Sequence, residues 1–149
     1  MQVTWIAIKD GSKILLGLKK RGFGAGKWNG FGGKVQENET VADSARHELK
    51  EESGIEALEM HAVGKLNFTY NHTAKHHECT CYLVTKYSGE PVETEEMQPK
   101  WFEDSEIPYE QMWVDDQYWL PIVLKGKKVQ AKFVFDSYSN IIDKEVIEI

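Results

Sequence analysis

Cysteine is scarce, with only Cys79 and Cys81 among the 149 residues. Standing two apart, they face the same side of a strand and are poorly placed to bridge each other, so neither a disulfide framework nor a cysteine-ligated zinc site organises the chain. No window approaches the ~18 consecutive apolar residues of a membrane helix, and residues 1–8 lack the basic flank and apolar length of a secretory leader. A cytoplasmic or similarly reducing setting is expected, with no membrane partner. Positive charge is in deficit too: 18 Lys plus Arg oppose 24 Asp plus Glu, for a formal net charge of −6. That balance argues against stable nucleic-acid binding, which needs a basic face to release phosphate counterions. Repeats, linkers and low-complexity segments are lacking, which leaves one domain over residues 1–149, expected as a monomer. With 41% hydrophobic residues, among them six Phe, six Tyr and five Trp, that domain can close a core.

Residues 3–8 and 13–18 are short apolar runs parted by Lys9-Asp10-Gly11-Ser12, the pattern of two antiparallel strands. Six of the twelve positions from Gly22 to Gly33 are glycine, and an amphipathic stretch from Val41 to Ser53 follows, so a loop feeds a helix. Thr40 is placed to cap that helix, with Asp43 in a capping-box-like position, and Gly54 stands where a left-handed C-terminal residue is wanted. Strands are expected at 62–70, 78–87, 100–102, 129–135 and 144–149, and helices at 108–112 and 115–125, the last capped by Asp115 or Asp116. The fold class is therefore α/β (α+β), a mixed β-sheet sandwiched between helices.

On the first helix Glu48, Glu51 and Glu52 are spaced by 3 and 4, so their carboxylates share one face. Such a trio is ordinarily a solvated acidic face. Two features point further. The cluster lies in the last turns, where the helix dipole disfavours negative charge, and only Arg46, His47 and Lys50 are near enough to compensate. A hard divalent cation such as Mg²⁺ would neutralise it, taking carboxylate oxygens together with waters and substrate phosphates. The glycine-rich Trp28-Asn29-Gly30-Phe31-Gly32-Gly33 also brings bare backbone towards the same face, where carbonyls can meet metal and amides can meet phosphate.

Gly33, five residues, Glu39, seven residues, His47-Glu48-Leu49, one residue, Glu51-Glu52, one residue, Gly54-Ile55: this succession closely resembles the Nudix box, G-x5-E-x7-R-E-U-x-E-E-x-G-U, with U aliphatic. Every fixed position matches except the arginine, replaced by His47. The resemblance implies a Nudix fold with a loop-helix-loop catalytic motif, and hydrolysis of a diphosphate linked to another moiety. It makes Glu48, Glu51 and Glu52 metal ligands or general base for Mg²⁺, or for Mn²⁺ in its stead, with the Gly32 backbone and Glu96 joining the metal site. Glu39 would orient the arginine, so its partner here is open. His47 is shorter than arginine and mostly neutral at pH 7, which predicts weaker orientation of the catalytic glutamates.

Beyond the box, residues 19–34 and 91–119 resemble the branch of the family that hydrolyses oxidised purine nucleoside triphosphates. Phe23, Phe68, Trp113 and Trp119 offer flat faces on which a purine can stack, although each could equally pack in a core. Asn29 carries an amide able to donate and accept, or else serves the turn of its loop. Asp115 and Asp116 are either helix caps or, as the resemblance implies, a base-reading pair. By the same mapping Thr4 and Lys19 lie at the floor and mouth of the pocket, and Met97 lines it. Residues 71–78 depart most from the relatives, whose counterpart is more apolar, and read as a mobile polar loop; His72, His76 and His77 as a metal site is the lesser reading. Three functions stay open on sequence: oxidised-purine hydrolysis to monophosphate and pyrophosphate acting on a small nucleotide, a broader nucleotide or capped-RNA pyrophosphohydrolase, and a nucleotide-sensing module with weakened catalysis.

Overall fold

The computed structural model describes residues 1–149. Strands β1 (Gln2–Asp10) and β2 (Lys13–Lys19) form the expected hairpin, β3 (Trp28–Asn29) follows in the glycine-rich segment, and helix α1 spans Val41–Ser53. Then come β4 (Glu56–Tyr70), β5 (His76–Ser88), β6 (Met97–Glu103), helix α2 (Asp116–Leu124), β7 (Val129–Phe135) and β8 (Ile141–Glu148). The sheet runs β3-β2-β1-β5-β4-β7-β8, with β6 paired to β2. It is mixed, since β1 runs parallel to β5 and β4 parallel to β7 while the remaining pairs are antiparallel. No helix is long and apolar enough to cross a membrane.

Both ends of α1 are written locally. The Asp43 amide donates to Thr40 Oγ1 at 3.1 Å, and Gly54 takes φ 79° while its N–H reaches the Lys50 carbonyl. The reciprocal half of a capping box is not made, because the Asp43 carboxylate pairs with Arg46 at 3.3 Å instead. α2 differs from expectation. Asp115 stands at its N-terminus with helical dihedrals and makes no side-chain cap bond, so neither aspartate serves as the cap. Residues 108–112 hold a 3₁₀ turn (Tyr109–Gln111) rather than an α-helix.

The sheet buries both faces. Ile6, Ile8, Leu15 and Phe31 pack with Ala45 and Leu49 of α1 on one side, and Trp5, Ala7, Ile14, Leu16 and Leu66 with Trp119 and Leu120 of α2 on the other. β1 is therefore apolar on both faces, which is why it reads as a continuous run instead of an alternation. Cys79 and Cys81 are both unbridged and buried on the α2 side.

The glycine-rich segment wedges between β1 and β2. β1 and β2 pair only near their turn, from Ile8↔Leu15 to Asp10↔Lys13, and where they separate the segment takes over the bonds of β1: Ile6 and Phe31 exchange both, and the Thr4 amide donates to the Gly33 carbonyl at 2.9 Å. Gly32 has φ 148° and so close an approach to β1 that a Cβ would overlap the Thr4 carbonyl. This wedge carries backbone from the sheet to the C-terminal half of α1.

Candidate active site

α1 turns Glu48 and Glu52 inward and leaves Glu51 exposed. Glu52 Oε1 accepts from the Gly32 amide at 3.1 Å, and the Glu48 carboxyl lies 3.0–3.2 Å from where a Cβ on Gly33 would sit. Both carboxyls hold their protons more tightly than usual. Burial is the main cause for Glu52, which is pushed up to about 8 against the pull of the Gly32 bond, with the Glu48 charge adding to it. Glu48 is raised by burial and by the charge of Glu51. The three are not gathered into a ready-made cage of ligands. Glu96 is half-buried and ion-paired with Arg21 at 2.5 Å, which holds it below the usual carboxylate range.

Glu39, whose partner the sequence left open, contacts His47 Nδ1 through Oε2 at 3.2 Å while its Oε1 accepts from the Gln36 amide at 2.9 Å. The motif's loop-to-helix tie is thus kept, in a reduced form. His47 is 70% exposed and gives one contact where a guanidinium would fork two. His47→Arg is expected to raise kcat with KM nearly unchanged. Steady-state kinetics on both proteins check this, and an unchanged kcat would mean the histidine already orients the helix fully.

Beside the carboxylates opens a cavity of about 440 Å³. Gly32 and Gly33 line it, so its wall is the backbone that touches Glu48 and Glu52. Thr4, Lys19, Phe23, Asn29, Phe68, Trp113, Asp115, Asp116 and Trp119 all border this cavity. Met97 does not. It is buried on the α1 side with Phe31 and Leu49, a correction to its expected place in the pocket. Thr4 Oγ1 accepts from the Gly33 amide at 3.3 Å, stitching wedge to sheet. Phe23 is 80% exposed and leans on Trp113, centroids 5.1 Å apart, with the Lys27 ammonium 5.2 Å over the indole. Phe68 stacks on Phe133 at 5.9 Å.

Trp119 is fully buried, edge-on to Trp5 at 5.0 Å, so its ring is core rather than a stacking surface. Asn29 sits in β3 and not in a turn, and its Oδ1 is occupied by Trp5 Nε1 at 3.1 Å and the Gly30 amide at 2.8 Å. That leaves its NH₂ group, which only donates, for the cavity.

Asp115 and Asp116 are 4% and 3% exposed, and both accept from Trp119 Nε1, at 3.0 and 3.2 Å. Asp116 Oδ2 is buried without a partner. Burial raises both carboxyls, Asp116 the more because the Asp115 charge adds to it. Burial and mutual repulsion both disfavour ionising the two carboxyls together, which favours a shared proton.

Residues 2–122 match the NUDIX domain. The chain belongs to the Nudix family. It is 41% identical to a zebrafish oxidized purine nucleoside triphosphate hydrolase over 99% of this chain and 94% of the relative, and 41% identical to the mouse protein of that name over 98% and 94%. Among solved structures, a MutT protein from Bacillus halodurans shares the fold at TM-score 0.87, covering 97% of this chain and 96% of that one, with 20% identity. A MutT NUDIX hydrolase from Burkholderia pseudomallei superposes at TM-score 0.66 with 29% identity, over 72% of this chain and 85% of that one.

Nudix hydrolases generally use a divalent metal, and the residues of this Nudix helix suit one. Two half-buried carboxyls, raised by desolvation and mutual repulsion, sit under a glycine that leaves them room, and oxygen-only donors of this kind fit a hard cation. Loss of their protons is coupled to stability. Glu52 binds a proton more tightly folded, near 8, than unfolded, near 4.5, so between those values the folded state carries more protons and stability falls as pH rises. Asp115 and Asp116 act in the same direction. Metal-free protein in chelator should therefore melt at lower temperature at pH 8 than at pH 5.5, and Mg²⁺ should bind more tightly, with proton release, as pH rises. A flat melting profile across that window would contradict the burial of these carboxyls.

Sequence reasoning missed Trp5, Leu66, Tyr70, His77 and Phe135 as cavity residues. The period-two succession Leu66, Phe68, Tyr70 on β4 was the available signal, since alternate strand residues share a face. Residues 71–78, expected as one polar loop, are a turn followed by the start of β5 at His76. His76 bonds Asn67 at 3.2 Å and His77 bonds Tyr70 at 3.0 Å, so the histidines are engaged separately and gather no metal cluster.

Proposed function

We propose that this Nudix enzyme hydrolyses oxidised purine nucleoside triphosphates such as 8-oxo-dGTP and 2-hydroxy-dATP to monophosphate and pyrophosphate with Mg²⁺, as a cytoplasmic monomer that clears damaged precursors. The observation that carries the reading is the cavity itself. It ends on two adjacent buried aspartates whose ionisation burial opposes, and it shares its Gly32–Gly33 wall with the carboxylates of α1. The names borne by the zebrafish and mouse relatives support the substrate class.

Phe23 and Trp113, in contact with each other, form an aromatic wall of the cavity on which one face of the purine stacks, a contact of about 1–3 kcal/mol per base. The Asn29 NH₂ donates to one acceptor on its edge, and the Asp115–Asp116 pair supplies an acceptor beside a protonated donor. Exchanging which carboxyl holds the proton lets one pocket meet either purine edge. Lys19 borders the cavity and lies in the field of Glu52, where its ammonium meets the polyphosphate. Glu48, Glu51 and Glu52, with the Gly32 carbonyl and Glu96, would hold Mg²⁺, which supplies charge neutralisation on the phosphates and a more acidic water. A carboxylate of the Glu48–Glu52 pair accepts the proton of the attacking water, and pyrophosphate leaves with the electrons of the cleaved P–O bond.

Incubating 8-oxo-dGTP with the protein and Mg²⁺ should yield the monophosphate and pyrophosphate in equal amounts. Release of orthophosphate, or turnover of capped RNA alone, would overturn the assignment.

A further inference from the structure

Tyr70 and His77 belong to neighbouring strands and meet across the β4–β5 hairpin. The Tyr70 hydroxyl lies 3.0 Å from His77 Nδ1, the rings stand edge to face at 5.7 Å, and Tyr70 stacks in turn on Phe135 at 6.0 Å. Both residues line the cavity. The hydroxyl also feels the charge of Asp115, and Asp115, Asp116, Tyr70 and His77 all line the same cavity. Nδ1 has this single partner and Nε2 has none.

We propose that Tyr70 and His77 form a second base-reading pair, one that selects purines by a hydrogen-bonding substituent on the part of the ring that the two aspartates do not reach. The inference rests on the function proposed above and deepens it. His77 is neutral at pH 7, held below its ordinary value by burial and by the positive charges around it, the Met1 ammonium, Lys75, His76 and Lys34. A neutral imidazole has two arrangements with a phenol. When Tyr70 donates to Nδ1, Nε2–H is a donor; when Nδ1–H donates to Tyr70, Nε2 is an acceptor and the hydroxyl hydrogen is free. Either arrangement satisfies the pair and presents the opposite polarity to a ligand, at no change of charge. An apolar wall here would accept any substituent of the right size, whereas a polar pair left unmatched loses its hydrogen bonds with water.

The test is Tyr70→Phe and His77→Leu, made separately in the whole chain, with kcat and KM measured on 8-oxo-dGTP, 2-hydroxy-dATP, dGTP and dATP. Tyr70→Phe keeps the ring on Phe135 and removes only the hydroxyl, so a wild-type-like melting temperature is expected. Each variant should change the ratio of KM for the two oxidised purines by about tenfold while kcat moves by less than about twofold. An unchanged ratio in both variants, with the wild type still favouring oxidised purines, would make the pair packing only and leave the proposed function standing. Failure of the wild type to favour either oxidised purine would overturn that function and this inference together.

Discussion

Glu52→Gln is expected to lower kcat by about 10²–10⁴-fold while the protein stays folded. Its carboxyl is the most strongly perturbed of the Nudix helix, buried against the Gly32 amide and raised to about 8. Glutamine keeps the shape and can still accept from Gly32 through its carbonyl oxygen. It supplies no charge for a metal and takes no proton from water, so the loss is chemical rather than structural. Removing a buried group that resists ionisation should also flatten the pH dependence of melting in chelator, because the group that sheds its proton between 4.5 and 8 is gone. The circular-dichroism spectrum should match the parent, and Mg²⁺ titration should show weaker binding. Near-normal turnover by this variant would remove the reaction centre from α1.

Asp116→Asn is expected to act on the base and not on the phosphates. Asp116 Oδ2 is the buried oxygen without a partner, its sister oxygen is held by Trp119, and its charge is suppressed by burial beside Asp115. Asparagine fixes what the carboxyl pair leaves adjustable, one permanent donor and one permanent acceptor. A mismatched buried polar contact costs about 1–3 kcal/mol, so KM should rise about 5- to 150-fold, unequally for 8-oxo-dGTP and 2-hydroxy-dATP, with kcat little changed. Asp115→Asn should shift the two substrates in a different proportion, since Asp115 bonds Trp119 through Oδ2 and its charge acts on the Tyr70 hydroxyl. Parental KM values in both variants would make the pair a structural brace for Trp119.

What could be read from the chain follows the range of the forces involved. The ends of α1 were legible because Thr40 and Gly54 act within a few residues, and the carboxylate face because helical spacing is local. β3 was not, since two residues carry no period, and only the separation of β1 from β2 creates the place it fills. The Asn29 role narrowed for a similar reason: Trp5, 24 residues away, occupies its oxygen. Met97 was misplaced because the face a strand residue takes is set by how its strand pairs, and β6, paired to β2, packs Met97 with Phe31 and Leu49 on the α1 side. The meeting of Tyr70 with His77 was beyond reach because it depends on the register of a hairpin, Phe68↔His77, that no local pattern announces.

In the proposed function one cavity reads an oxidised purine while the adjoining carboxylates cleave its triphosphate. The most direct measurement is kcat/KM for 8-oxo-dGTP against dGTP, and for 2-hydroxy-dATP against dATP, with Mg²⁺ at neutral pH. Each oxidised nucleotide is expected to be preferred by at least about tenfold, as one matched buried hydrogen bond requires. Equal values for the oxidised and unmodified members of both pairs would contradict it.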